Sequence, residues 1–121
     1  MPMNSVDRHF RERERMKDLL IELSKRKPGG KTLRDMLTRM LNAHAAVGTQ
    51  IANYADSVRG TCPCCVHAAL GGSDSPYDKL LRKQERQAWQ IALTYAKLGD
   101  LGHALRWFSE TGYVDISGNN P

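Results

Sequence analysis

From Leu33 to Ala55, apolar side chains return at the helical interval for roughly six turns. They are Leu33, Met36, Leu37, Met40, Leu41, Val47, Ile51, Ala52 and Ala55. Steps of three and four residues gather such positions on one stripe of an α-helix, whereas in a strand they would scatter over both faces. A helix with so long a stripe needs an apolar partner. The rest of the chain offers further helices for that role.

The first helix is expected over residues 5–27. Ser5 or Asp7 can cap it, and Pro28-Gly29-Gly30 stops it. Its first half, RHFRERERMKD, alternates charges and reads as solvent-facing, so only Met16, Leu19, Leu20 and Leu23 ask for packing. The second helix, expected over 32–58 as the central core helix, opens at Thr32 with Asp35 three residues on, a spacing like that of a capping box. Residues 59–75 form a loop holding the cysteines and the Gly71-Gly72-Ser73-Asp74 connector. Ser75 then caps a third helix over 76–98, with Pro76 at the first position, where a missing N–H costs nothing. Gly99 breaks that helix. Asp100 caps a fourth over 101–111, bearing Leu101, Ala104, Leu105 and Phe108, and Gly112 opens a tail over 112–121. Only YVDIS at 113–117 has strand character. The expected fold is all-α: one domain spanning 1–121, a compact bundle of about four helices with a C-terminal helix-turn-helix-like hairpin and a cysteine-containing loop.

Charge narrows the partners. Lys and Arg number 18 against 13 Asp and Glu in 121 residues, a net charge of +5. The excess is uneven. Lys25, Arg26, Lys27, Lys31, Arg34 and Arg39 surround a single acid, Asp35, and Lys79, Arg82, Lys83 and Arg86 surround Glu85. Such clusters are either solvated helix faces or the footprint of an acidic partner such as nucleic acid. No apolar run reaches the length of a membrane span, and MPMNSVDRHFRERERMKD lacks the apolar core of a secretory signal. A cytoplasmic protein with reduced thiols and no membrane contact is expected.

All three cysteines fall in TCPCCVH at 61–67. Cys62 and Cys65 make a C-P-x-C pair whose proline pre-sets the bend of a metal-binding knuckle. Zinc takes four ligands in a tetrahedron, commonly thiolates and imidazoles. His67 is the nearest third ligand; the fourth would come from His103, His44 or a second subunit. No second C-x-x-C follows. The cluster therefore reads as a zinc site or as small semi-buried thiols at a helix–loop junction, with redox use less suited to a chain lacking a βαβ setting. His44, on the apolar stripe, reads as a core residue, and His9 as solvated. No phosphate-cradling loop, His-Glu-x-x-His motif or carboxylate pair is present, and the chain is not expected to be an enzyme.

WQIALTYAKLGDLGHALRWFSETGYV, from Trp89 to Val114, reads as helix, tight glycine turn, helix. In a helix-turn-helix, Leu105 and Phe108 would anchor the second helix while Gly102, His103 and Arg106 faced DNA. Tyr95 is bulky where that motif has a small residue. A single tetratricopeptide-like hairpin also fits the spacing of Tyr95, Gly99, Ala104 and Phe108, but such repeats need neighbours. Trp107, beside Phe108, cannot fully share its face and is a partly exposed candidate for a protein contact.

Cys62-Pro63-Cys64-Cys65, the basic stretch KRKPGGKTLR at 25–34 and the hairpin at 89–114 together resemble the Q-type transcription antitermination proteins of lambdoid phages and bacterial prophage-like regions. Several of these carry two cysteine pairs where this chain has one. The resemblance implies a DNA-binding regulator that loads near a promoter, engages RNA polymerase and promotes read-through of terminators along nascent RNA. Under it, His103 and Arg106 would read bases in double-stranded DNA, and Lys25, Arg26, Lys31, Arg34, Arg82, Lys83 and Arg86 would hold phosphates. Cys62, Cys65, His67 and His103 would hold zinc. The rival expectation is a small helical inhibitor or adaptor that binds a host protein without reading DNA.

Overall fold

Four helices account for most of the residues described by the computed structural model, 5–58 and 75–115. They are α1 (Ser5–Lys25), α2 (Lys31–Ser57), α3 (Pro76–Lys97) and α4 (Leu101–Ser109). They pack as a bundle, and no strand occurs among the described residues; residues 113–115 of the YVDIS stretch are irregular. No described helix is long and apolar enough to cross a membrane.

The terminators act where the sequence places them, with three exceptions, the first being that α1 ends at Lys25, two residues before the expected Lys27. Ser75 caps α3 by accepting from the Asp78 N–H at 3.0 Å. Asp100 caps α4 by accepting from the His103 N–H at 3.1 Å. Between them, Gly99 takes φ +82°, a left-handed value that glycine adopts without steric cost. The Thr32–Asp35 capping box does not form: α2 begins one residue earlier, with Gly30 at the cap and no side chain bonded to the first-turn N–H groups. The fourth helix also stops at Ser109, capped by Glu110, two residues before the expected end.

The centre of the bundle is α3, not α2. Seven α3 residues are buried, Ala88, Trp89, Ile91, Ala92, Leu93, Thr94 and Ala96, against Leu37 and Val47 in α2. Helix α3 touches each of the other three. The main core joins Met16, Leu20 and Leu23 of α1 to Trp89, Ala92, Leu93 and Ala96 of α3 and to Ala104 and Phe108 of α4. No α2 residue belongs to it. The long stripe of α2 meets α3 along one edge, and Leu33, Met40, Leu41 and Ile51 stay half-buried. A periodic stripe shows that a helix has an apolar face; it does not say whether that face is covered from one side or from three.

The direction of each helix follows from its contacts. Thr94 Oγ1 lies 3.3 Å from Met40 Sδ, and the Tyr54 and Tyr77 rings stack at 6.2 Å, so α2 runs antiparallel to α3. Trp89 and Phe108 meet at 5.9 Å, and α4 also runs back along α3. After α1, the Gly29 N–H donates to the Lys97 carbonyl at 2.9 Å, which fixes the α1–α2 turn against the end of α3.

The first half of α1 is not simply solvated. Arg13 donates to the carbonyls of Phe108 at 3.0 Å and Tyr113 at 3.2 Å, and Arg15 donates to that of Asp115 at 2.8 Å. The Asp115 N–H approaches Met16 Sδ at 3.4 Å. Thr111 and Asp115 are buried. Thr111, expected as the end of the fourth helix, and residues 112–115, expected as the start of the tail, lie fastened along α1. The SGNNP segment is outside the described residues.

Candidate nucleic-acid interface

The turn between α1 and α2 brings three helix ends to one pole of the bundle. Lys25, Arg26 and Lys27 close α1, Lys31 and Arg34 open α2, and Lys97 closes α3. His103, in the first turn of α4, stands at the same end because its ring stacks on Tyr95 at 5.0 Å and 17°. The fold thus adds Lys97 and His103 to the basic stretch at 25–34. Lys97 was legible only as a basic residue in a last helical turn, a position favoured by the helix dipole. Lys25, Arg26, Lys27, Lys31 and Arg34 are exposed. Lys25 has a loose partner in Glu22 at 3.9 Å, with both side chains well solvated. The uncapped N–H groups of α2, with no acid in its first turn, add to the positive potential there.

The remaining expected DNA contacts lie elsewhere. Arg82, Lys83 and Arg86 sit in the first half of α3, about 16–22 Å along the helix axis from Lys97. Arg82 is held by Asp78 at 2.9 Å. Arg106 faces outward from α4 beside Arg13 and Lys17 of α1, with Glu110 at 3.4 Å. The expected contact set therefore divides into a pole, an α4 face and an α3 ridge.

Phe108 is buried and Leu105 packs against the core, while Gly102, His103 and Arg106 are exposed. His103 Nδ1 lies 2.7 Å from Asp100 Oδ2. Tyr95, the bulky residue of the turn, spends its ring on His103 rather than holding the helices apart. Trp107 is half-buried and meets His44 edge-on, ring centroids 5.0 Å apart at 82°. That pair joins α4 to α2 across a cleft also lined by Gln84, Glu85 and Glu110. Desolvation there lowers the His44 pKa and favours the neutral ring.

Cys62, Cys65 and His67 lie outside the described residues. Among the described residues no group of three His, Cys, Asp or Glu is arranged to hold a metal ion. His103 has a carboxylate at Nδ1, the arrangement that leaves Nε2 to a metal. Tyr95, against which it stacks, is about 27 Å along α3 from Tyr77, which stacks on Tyr54 near the end of α2. The expected zinc site itself falls outside the described residues.

Sequence reasoning missed Arg13. Its guanidinium lies 3.6 Å from the centre of the Phe108 ring. Burial lowers its pKa, with Glu85 acting in the opposite sense. A signal existed: Arg13 precedes Met16 by three residues and so continues the stripe of Met16, Leu20 and Leu23 by one turn.

No family model matches this chain, and neither a curated protein nor a solved structure matches it.

Proposed function

We propose that the protein is a DNA-binding regulator that acts on RNA polymerase, and that its primary anion-binding surface is the basic pole. The observation that carries this reading is the convergence of the exposed Lys25, Arg26, Lys27, Lys31 and Arg34 and the half-buried Lys97, from three helix ends, on one pole. Phosphates would bind there with release of their counterions, and so with a steep dependence on salt. Beside the pole, His103 and Arg106 present the two side chains of α4 suited to base edges. Their contacts with Asp100 and Glu110 are solvent-exposed and of the kind that exchanges at little cost.

Processive antitermination is the specific activity proposed, and it rests on the resemblance to Q-type proteins. Nascent RNA would share the basic surface, and RNA polymerase would be engaged through a protein-facing surface of the bundle. Zinc, held by Cys62, Cys65 and His67 with a further ligand, is part of this proposal as a structural ion. Single-round transcription across an intrinsic terminator tests the activity: added protein raises the read-through fraction on a template bearing the cognate element. Unchanged read-through on every promoter from the source genome, despite bound DNA, would sink antitermination and leave DNA binding standing.

A second reading has its own observation in support. A helical adaptor that binds a host protein is favoured by the half-covered apolar stripe of α2, since exposed apolar surface rimmed by polar residues marks interaction sites.

A further inference from the structure

Helix α2 rests chiefly on α3, and along one edge the two helices leave a groove of about 310 Å³ lined by Met40, Ala43, Lys83, Arg86, Gln87 and Gln90. Its floor is methionine, alanine and the stems of longer side chains. Met36, Met40 and Ala43 form a row at i, i+4 and i+7, and Met36 is 40% exposed. Met40 is steadied by the Thr94 hydroxyl at 3.3 Å. The rim is cationic. Lys83 and Arg86 stand on the α3 side, and Arg39, a surface neighbour of Met36 and Ala43, is exposed on α2. None of these three is ion-paired among the described residues, and no acid lines the groove. The groove wall also contains Gln87 Oε1, a buried acceptor with no hydrogen-bond partner.

We propose that this groove docks an acidic amphipathic helix of a partner protein. Aliphatic side chains of that helix would lie on Met40 and Ala43, and its carboxylates would meet Arg39, Lys83 and Arg86. An apolar floor inside a cationic rim is the complement of a helix with an apolar stripe flanked by Asp and Glu. Thioethers adapt to branched aliphatic groups of differing shape, which suits a recognised class rather than one sequence. Single-stranded nucleic acid fits less well, because the floor has no aromatic ring on which a base would stack. A second copy of this chain also fits less well. A two-fold contact would bring the cationic rim against itself.

This inference does not depend on the basic pole. A display library of short helical peptides, selected on the full chain and rescreened on variants, tests it. Ala43 is exposed on a helix surface, so Ala43→Arg preserves the fold, as circular dichroism would verify, while filling the groove. It also adds positive charge. The selected peptides should carry apolar residues at helical spacing flanked by Asp or Glu. Ala43→Arg should weaken them at least about tenfold, although plain charge attraction would strengthen them. Lys83→Gln with Arg86→Gln should weaken them by a similar factor. Recovery of no peptide, of peptides without acidic residues, or of peptides that bind Ala43→Arg as well as the native chain would overturn the proposal. So would a groove-dependent partner of another kind. That outcome would appear as duplex or single-stranded oligonucleotide binding abolished by Ala43→Arg, or as self-association that Ala43→Arg removes.

Discussion

The guanidinium of Arg13 lies 3.6 Å from the centre of the Phe108 ring, and its Nη2 donates to the Phe108 carbonyl at 3.0 Å. One side chain of α1 thus holds both the ring and the backbone at the end of α4, and its Nη1 reaches on to the Tyr113 carbonyl. The positive charge also meets the last carbonyls of α4, where the helix dipole favours a cation. This clamp joins α1 to the end of α4 and to the residues that follow it.

Arg13→Ala is expected to lower the stability of the native state by about 2 kcal/mol, from a lost cation–π contact and two charge-assisted hydrogen bonds. Arg13→Lys should recover less than half of that, because a lysine cannot stack on the ring and serve both carbonyls together. Urea denaturation of the three proteins checks this. Equal midpoints for Arg13→Lys and the native chain would show that charge alone matters at this position.

The sequence shows no sign of that clamp in its charge pattern, since RHFRERERMKD contains four arginines in equivalent-looking settings. What distinguishes Arg13 is its phase relative to Met16, Leu20 and Leu23, and that phase becomes informative only once α1 has a neighbour. The helix limits were more accessible. Ser75, Pro76, Gly99 and Asp100 act locally, so their roles can be read without knowing the tertiary fold. The place of α2 could not be read that way, because its stripe would look the same buried on one side or on all. The basic pole was half legible: Lys25 to Arg34 are adjacent in sequence, while Lys97 and His103 arrive there only through the antiparallel return of α3 and α4.

Gly99→Ala should destabilise by about 1–2 kcal/mol, the cost of placing a side chain at left-handed φ. The added Cβ would also lie 3.4 Å from Pro28 Cγ, so the α1–α2 turn would feel it. Gly112→Ala serves as the comparison, since its Cβ would meet nothing within 4 Å and its φ is not positive. Thermal unfolding of the two variants should separate them clearly, with Gly112→Ala close to the native midpoint.

His44 gives a pH dependence of known sign. Desolvation lowers its pKa in the folded state, so the unfolded chain takes up a proton first as pH falls. Its contribution is fully present above the unfolded value of about 6.5 and declines below it until the folded group also titrates. His44→Phe keeps a ring against Trp107 and removes the proton. Its urea midpoint should therefore fall less than the native one between neutral and mildly acidic pH. Parallel profiles would mean that His44 is as readily protonated in the fold as outside it.

The position of His103 bears on the metal. If zinc is bound through Cys62 and Cys65, His103→Ala should leave the zinc content of the purified protein unchanged, while Cys62→Ser and Cys65→Ser remove it. Loss of zinc in His103→Ala, with native circular dichroism, would make His103 the fourth ligand. Native mass spectrometry on the same sample would then tell a site within one chain from a metal-bridged dimer.

The central claim is that the basic pole binds nucleic acid, and salt-dependent anisotropy of a labelled duplex measures it directly. The native chain should bind at low salt, with log K falling by about 0.9 for each phosphate contact per tenfold rise in salt. Replacing Lys25, Arg26, Lys31 and Arg34 by glutamine should flatten that slope by roughly three units and abolish binding near physiological salt. Replacing Lys83 and Arg86 should do much less. A native chain that fails to bind any duplex at low salt, or a pole variant that keeps the native affinity and slope, would contradict the account.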